Sequence, residues 1–244
     1  MLKPSFFLLV VLTSLSSLFA AKMPPELDDA LKTFRAEGAA HWSFVQTSES
    51  GGKTQVEHFD PSKPEFNRWT LLKKNGAAPT EAELQEYRER LSRRTTGKTA
   101  PNVKDQIDTN SYELLSEDGE RANYRFRLRP GDKSDQSASH MAATFTLHKP
   151  TGTIERVEVA SLEPFSPMFA VKVNEAKTVM TYSLPTAERP SLLDKITVRM
   201  RGRAMWFKSV DEEMTVTYSE HKFVGKKAPA APQENPARAN PAVP

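Results

Sequence analysis

A mainly β fold with a few helices, an α+β domain, is predicted by the alternation of apolar and polar residues along most of the chain. From His41 onward this alternation has a period of two, as in strands that bury one face. Polar turns such as Asp118-Gly119 separate the alternating segments and are typical of antiparallel hairpins. We therefore expect a strongly curved antiparallel sheet or half-open β-barrel, with helices covering its open face as a lid.

Residues 1–21 are predicted to be a secretory signal peptide. Lys3 precedes an apolar run from Phe6 to Leu12, and small residues follow where cleavage is expected. This run is shorter than the about 20 apolar residues of a membrane span, although an uncleaved anchor is the alternative interpretation. The chain has no cysteine, so it lacks the lipobox of an acylated bacterial lipoprotein. We therefore expect a soluble periplasmic or secreted protein that does not span the membrane after cleavage.

Residues 22–225 are predicted to form a single β domain that contains two helical segments. The first is a short amphipathic helix whose apolar positions include Leu27, Leu31 and Phe34. The second is an insertion at about 79–97, which the capping box of Thr80 and Glu83 introduces. Its apolar stripe of Leu84, Tyr87 and Leu91 is narrow. Among the candidate strands that follow are 168–173, 204–210 and 214–218.

The C-terminal residues 226–244 are rich in alanine and proline and have no apolar periodicity. Such a composition cannot bury enough apolar surface to fold, so we predict a disordered, partly polyproline tail. The net charge of +3 falls to +2 when Lys3 leaves with the signal peptide. This near balance, together with export, excludes a nucleic-acid partner.

No catalytic or metal-binding signature is present in the sequence. The five histidines do not share a metal-ligand spacing, and no serine has the framing of a nucleophile. Only His41 and His58 could meet, across the first hairpin. We therefore expect a protein that is not an enzyme and that needs no metal or cofactor.

Two arginine series alternate along candidate strands and would each lie on the face opposite the apolar one. They are Arg125, Arg127 and Arg129 in one strand, and Arg199, Arg201 and Arg203 in the other. One interpretation is a surface for anions or lipid headgroups. The other is an ordinary solvated face, with acidic partners on neighbouring strands.

The predicted inner face is rich in large apolar side chains. It would carry Trp42, Phe44, Trp69, Leu71, Tyr124, Phe126, Met141, Phe145, Phe169, Met180, Tyr182, Met205, Phe207 and Met214. If a helix packs fully against this face, these residues are simply core. If the helix only covers it as a lid, they line an apolar cavity. The sequence leaves both possibilities open.

Two short stretches resemble the opening of the LolA/LolB-type lipoprotein-carrier fold. They are Phe44-Val45-Gln46-Thr47 and Pro64-Glu65-Phe66-Asn67-Arg68-Trp69. A further set of short segments is also similar to exported bacterial proteins of no established function: Phe59-Asp60-Pro61, Arg68-Trp69-Thr70-Leu71-Leu72, Asn75-Gly76 and Pro79-Thr80-Glu81. The resemblance implies an open, barrel-like sheet with a helical lid around a site for acyl chains. It singles out Phe44, Arg68 and Trp69, and implies that Arg68 bonds the backbone of the lid helix.

The functional hypothesis is a periplasmic, non-enzymatic binding or carrier protein for a lipid acyl chain or another apolar ligand. The candidate ligand-binding residues are Trp42, Phe44, Arg68, Trp69, Leu71, Tyr124, Phe126 and Phe145. The alternative is an envelope assembly or interaction factor without a small ligand. Such a factor would bind an envelope protein through the edge of its sheet or through its Pro-rich tail.

Overall fold

The computed structural model describes residues 23–93, 103–130, 137–205 and 208–225. The predicted signal peptide 1–21 and the predicted tail 226–244 lie outside these ranges. Three helices are present in the described ranges: α1 (Pro25–Thr33), α2 (Glu81–Arg93) and α3 (Val103–Gln106). None of them is long and apolar enough to cross a membrane.

Eleven strands of the described ranges join one antiparallel sheet. They are β1 (Trp42–Ser50), β2 (Lys53–Phe59), β3 (Trp69–Lys74), β4 (Glu113–Glu117), β5 (Arg121–Arg127), β6 (Met141–His148), β7 (Thr153–Ser161), β8 (Phe165–Met168), β9 (Val171–Tyr182), β10 (Leu193–Ala204) and β11 (Lys208–Phe223). Their order is β3-β2-β1-β11-β10-β9-β7-β6-β5-β4, and β8 pairs with β9 beside this path. The sheet is open, because β3 and β4 end it without pairing. The predicted α+β class, mainly antiparallel strands with a few helices, is confirmed.

Tight turns explain why neighbouring strands pair in this register. Gly51 and Gly52 both have a positive φ, which fits the two-residue turn between β1 and β2. In the β4–β5 turn the Asp118 carboxylate accepts hydrogen bonds from the backbone N–H groups of Glu120 and Arg121, both at 2.7 Å. These bonds, chiefly the one from Arg121, hold the pKa of Asp118 below its usual range.

Cross-strand pairing places one continuous set of apolar side chains on the same face of the sheet, which we call the inner face. In order across the sheet, the set includes Trp69, Phe59, Phe44, Tyr218, Val216, Ile196, Met180, Val157, Phe145 and Tyr124. The two amphipathic helices α1 and α2 are associated with different parts of this face.

Helix α1 fills the part of the inner face formed by β5, β6, β7 and β9. Leu27 and Leu31 of the helix are fully buried in one cluster with Phe126 and Phe145 of the sheet. Phe34, just after the helix, packs edge-on against Phe145 with ring centroids 6.4 Å apart. Lys104 of α3 pairs with Asp28 and ties α3 to α1. This half of the face is therefore core.

Two strand predictions were wrong where the chain turns sharply. The predicted strand 168–173 is split between β8 and β9, because Ala170 adopts a left-handed conformation with φ of 67°. The predicted strand 204–210 is interrupted after Ala204, where Met205 has φ of 52°. Residues 208–210 belong to β11, which also contains the predicted strand 214–218. Phe169, Met205 and Met214, which were expected on a covered inner face, are exposed, and Phe207 lies outside the described residues.

Candidate ligand-binding site

Helix α2 lies beside β3 and is fixed where it begins. The Thr80 N–H donates to Glu83 Oε2 at 2.9 Å, and the Glu83 N–H donates to Thr80 Oγ1 at 3.3 Å. This is the predicted capping box, and it satisfies backbone donors that the first turn leaves free. Lys74 at the end of β3 then pairs with Glu83 at 3.3 Å and with Glu86 at 3.7 Å. The start of α2 is thus tied to the end of the neighbouring strand.

The side of α2 that contacts the sheet is narrow. Tyr87 is the only buried residue of the helix, and Leu84 and Leu91 on the same stripe are half-buried. Arg90 donates from Nη2 to Gln55 Oε1 at 3.3 Å and lies over the Tyr87 ring, 5.3 Å from its centroid. A helix with so little buried apolar surface leaves space between itself and the sheet.

That space is a cavity of about 810 Å³, which we call the β3–α2 cleft. On the sheet side it is lined by Phe59, Trp69 and Leu71, and on the helix side by Leu84, Tyr87 and Leu91. Its polar lining residues include Lys63, Glu65, Asn67, Arg68, Arg88 and Ser92. Both its volume and its mixture of apolar walls with a few polar groups are typical of small-molecule sites.

The sheet side of the cleft belongs to an aromatic cluster on the inner face. The Trp69 ring centroid lies 4.9 Å from that of Phe59 and 5.9 Å from that of Phe44. Phe44 also stacks on Phe59 at 5.0 Å and meets Tyr218 edge-on at 5.2 Å. Phe44 does not line the cleft itself. It packs against Phe59 and Trp69, which do line the cleft.

The cleft carries an excess of positive charge. Lys63, Arg68 and Arg88 are among its lining residues, whereas Glu65 is the acidic one. Within the described ranges, no carboxylate lies within ion-pair distance of Arg68 or Arg88, and Lys63 reaches only Asp60, at 4.0 Å. These cations are therefore available to an anionic ligand.

Arg68 does not make the contact that the resemblance implies. Its Nε donates to the carbonyl oxygen of Lys63 at 3.2 Å, which closes the loop between β2 and β3. No described hydrogen bond joins it to the backbone of α2. Arg68 lines the cleft, and its hydrogen bond in this structure holds the loop between β2 and β3.

A polar pair lies on the inner face next to Leu71, and its carboxylate is buried. Glu57, the cross-strand neighbour of Leu71, is only 3% exposed, and Gln46 Nε2 donates to its Oε2 at 3.2 Å. Tyr218 is the partner of Gln46 on the next strand. Burial, and secondarily the charge of Glu57, raise the pKa of the Tyr218 hydroxyl above its ordinary value.

The structure divides the eight predicted site residues among three places. Arg68, Trp69 and Leu71 line the cleft, and Phe44 lies directly behind Trp69. Trp42 is buried elsewhere on the β1–β11 pair, against Phe223 at 5.7 Å. Tyr124, Phe126 and Phe145 are buried in the α1 core, so the structure does not bring them to the cleft.

The helix side of the cleft was not assigned to the site from the sequence. Leu84, Tyr87 and Leu91 recur at positions i, i+3 and i+7, which marks one helical face. That spacing is the signal that could have found them. It predicts a face in contact with something apolar, but it does not say whether that something is the sheet or a ligand.

A second, smaller cavity of about 300 Å³ lies between the end of α1 and the segment before β10. Phe34 and Tyr182 line its apolar side, and Arg35 and Arg189 are among its polar lining residues. The Tyr182 hydroxyl donates to the carbonyl oxygen of Ala36 at 2.9 Å, and burial raises its pKa well above the ordinary tyrosine value. It is less than half the size of the cleft.

No metal-binding group is present in the part of the chain that the structure describes: no three His, Asp or Glu side chains come together. Three histidines have other partners instead. His140 Nδ1 lies 3.0 Å from Glu163 Oε1, and His148 Nδ1 lies 2.8 Å from the Thr151 hydroxyl. His221 Nε2 lies 3.2 Å from the carbonyl oxygen of Leu193. Burial lowers the pKa of His221 below its ordinary value.

Comparisons with known proteins do not assign a function to the chain, so any functional statement rests on the open sheet and its cleft. No protein-family model matches the chain, and no curated protein matches it. Among solved structures, an isomerase-inactive variant of GphF DH1 is 11% identical over 82% of this chain and 80% of that chain, with a TM-score of 0.17. GphF Dehydratase 1 is 12% identical over 82% of each chain, with a TM-score of 0.16. At such TM-scores neither similarity carries an argument.

Proposed function

We propose that the protein is an exported, non-enzymatic binding or carrier protein that holds a lipid or another apolar ligand in the β3–α2 cleft. The observation that carries this proposal is the contrast between the two halves of one inner face. Under α1 the face is filled by fully buried leucines and phenylalanines, whereas under α2 a cavity of about 810 Å³ is left open. Apolar walls around an open volume favour an apolar occupant.

In this proposal the ligand is an amphiphile with an anionic end. Trp69, Leu71 and Leu91 would surround its apolar chain, and Arg68 and Arg88 would face its charged group. A guanidinium without an internal ion pair is a good partner for a carboxylate or a phosphate. Fatty acids and the acyl chains of phospholipids or lipoproteins have this chemistry.

Helix α2 would act as the lid of a curved sheet. It buries only Tyr87, and its start is anchored through Lys74, so its other end can move at a small cost in buried area. Release of the ligand to a more apolar acceptor would need no bond to be made or broken. The predicted signal peptide puts this activity in the periplasm or outside the cell. The resemblance to LolA/LolB-type carriers favours the same interpretation.

Native mass spectrometry of the exported protein, purified without detergent, tests the proposal directly. We expect a bound acyl species at near-stoichiometric amounts, which lipid extraction then identifies. A clean apo mass, together with no binding of added palmitate, would contradict the proposal. It would favour the alternative function, recruitment of an envelope partner through the edge strand β4 or residues 226–244.

A matched pair of substitutions locates the ligand. Leu91→Gln introduces a polar side chain on the helix side of the cleft and should weaken palmitate binding by about tenfold, since a leucine contact is lost. Leu72→Gln makes the same change on the opposite face of β3, where the leucine is 41% exposed, and should leave binding unchanged. Equal losses in both variants would contradict a ligand in the cleft.

The anionic end of the ligand is tested with a neutral analogue. Arg68→Gln should weaken the binding of palmitate but not that of its methyl ester, because only the carboxylate can use the guanidinium. If both ligands lose the same affinity, Arg68 acts only through the loop that it closes on Lys63.

A further inference from the structure

Two neighbouring turns at one end of the sheet are joined by a backbone hydrogen bond. The Met205 N–H, after β10, donates to the carbonyl oxygen of Ala170, between β8 and β9, at 2.7 Å. Both residues have a positive φ, so each lies in a tight reversal of the chain. We call the described residues Met168, Phe169, Lys172, Arg203, Met205 and Lys208 the hairpin tip.

The apolar residues of the hairpin tip are unusually exposed. Phe169 is 89% exposed, Met168 64% and Met205 62%, and all three lie at or next to the reversals. Single exposed apolar residues need no explanation, but a group of large ones at one end of the sheet marks an interaction surface.

The charges of the hairpin tip all have one sign. The segments 164–174 and 202–210 contain Lys172, Arg203 and Lys208 but no aspartate or glutamate. Within the described ranges, none of these three cations has an ion pair. The tip therefore presents three positive charges around its apolar side chains.

The contrast with the rest of the same strand is sharp. Further from the tip, Arg199 pairs with Glu213 at 3.2 Å, and Arg201 pairs with Asp211 at 3.4 Å and with Glu175 at 3.6 Å. The interpretation of a solvated face with acidic partners is correct for these two arginines. It does not account for Arg203, which lies directly opposite Lys172 across the β9–β10 ladder. Like charges in that position destabilise a sheet, and an external anionic partner would relieve their repulsion.

We infer that the hairpin tip docks on the surface of an anionic lipid bilayer. Met168, Phe169 and Met205 would enter the boundary between headgroups and acyl chains, while Lys172, Arg203 and Lys208 contact lipid phosphates. A bilayer offers an apolar layer beneath an anionic one, which matches exposed apolar side chains with cations close by. This inference does not depend on the cleft, which lies at strands β2 and β3.

Vesicle flotation of the exported chain tests the inference. Mass spectrometry must first confirm that the signal peptide is absent, because its apolar run would itself bind lipid. We expect binding to vesicles of phosphatidylglycerol and phosphatidylethanolamine that weakens with salt, and much weaker binding to pure phosphatidylcholine. Equal binding to both kinds of vesicle, or to neither, would overturn the inference.

The apolar contribution is tested by a matched pair of double variants. Met168→Ser with Phe169→Ser should reduce vesicle binding by at least about tenfold, since two inserted side chains are lost. Leu114→Ser with Leu115→Ser removes two exposed leucines from the edge strand β4 and should leave binding unchanged. Self-association that the first pair abolishes, without any flotation, would overturn the inference and assign the tip to a second copy of the chain.

The charge contribution is tested by a variant for which stability and binding should change in opposite directions. Lys172→Glu replaces a repulsive neighbour of Arg203 by an attractive one, so the melting temperature should rise. Two units of positive charge are lost at the tip, so vesicle binding should fall by about tenfold or more. Arg127→Glu, an exposed change on β5, is the control and should leave binding unchanged. Unchanged binding in Lys172→Glu would overturn the inference.

Discussion

Gln46 and Glu57 face each other across the β1–β2 ladder, and the Gln46 amide donates to one oxygen of the Glu57 carboxylate at 3.2 Å. The other oxygen, Oε1, is buried without a hydrogen bond from any described residue. A carboxylate that leaves water for a single amide donor loses more hydration than it regains. The inner face therefore carries a destabilising group beside Leu71, which lines the cleft.

Glu57→Gln should stabilise the fold. The amide has nearly the same shape, it can still accept from Gln46 through its oxygen, and it carries no charge to desolvate. We expect the free energy of unfolding to increase by about 1 kcal/mol, measured by urea denaturation. Glu49→Gln, an exposed change on β1, should have no effect. A loss of stability in Glu57→Gln would mean that the charge itself is held by a favourable interaction.

The variants Phe126→Ala and Trp69→Ala should distinguish a residue that only stabilises the core from one that lines the cleft. Phe126 is fully buried under α1, so its truncation should cost about 3–5 kcal/mol in urea denaturation. Trp69 is half-buried, so its truncation should cost roughly 2 kcal/mol while it removes one wall of the cleft. Palmitate binding, measured where both variants are folded, should be lost in Trp69→Ala and kept in Phe126→Ala. The reverse pattern would place the ligand under α1.

The fold class followed from the sequence because the alternation of apolar and polar residues reports directly on strands with one buried face. Phe126 and Phe145 were correctly placed on that face, and so was Trp69. What the pattern could not tell is which part of the face a helix fills. That depends on how many apolar residues each helix presents, and on tertiary packing that no local period encodes.

The turns at Ala170 and Met205 were missed for a different reason. Neither residue is a glycine, so nothing in the sequence marks a left-handed conformation there, and the apolar run continues through both positions. Residues such as Phe169 then count as strand, and their alternation places them in the core. In the structure the chain reverses instead, so the same side chains are exposed.

Acid should loosen the start of α2 through Glu83. Hydrogen bonds from Thr80, chiefly its backbone N–H, and the pairing with Lys74 hold the pKa of Glu83 below its usual value of 4.5. A lowered pKa in the folded state means that the charged form supports the helix. This contribution is complete above pH 4.5 and is lost as the pH falls through the lowered pKa. Hydrogen exchange of the α2 amides, corrected for intrinsic rates, should therefore accelerate in acid.

Two variants identify Glu83 as the source of that acid sensitivity. Glu83→Gln keeps the capping box but removes the charge, so the acid effect should disappear. Glu81→Gln changes an exposed acid in the same turn and should retain the effect. If the acid effect persists in Glu83→Gln, another carboxylate controls the helix.

Gly202→Ala should separate the two turns of the hairpin tip. A Cβ at Gly202 would fall on the carbonyl oxygen of Lys172, which is backbone and cannot move aside cheaply. We expect a loss of about 1–3 kcal/mol in urea denaturation, because β9 and β10 must move apart where the ladder already has a bulge. Gly119→Ala is the matched control, since an added Cβ there meets nothing within 4 Å. Exchange of the Met205 N–H should accelerate only in Gly202→Ala, since its bond to Ala170 depends on the close approach. Equal stability of the two variants would mean that the strands separate without cost, and that the tip is not a rigid unit.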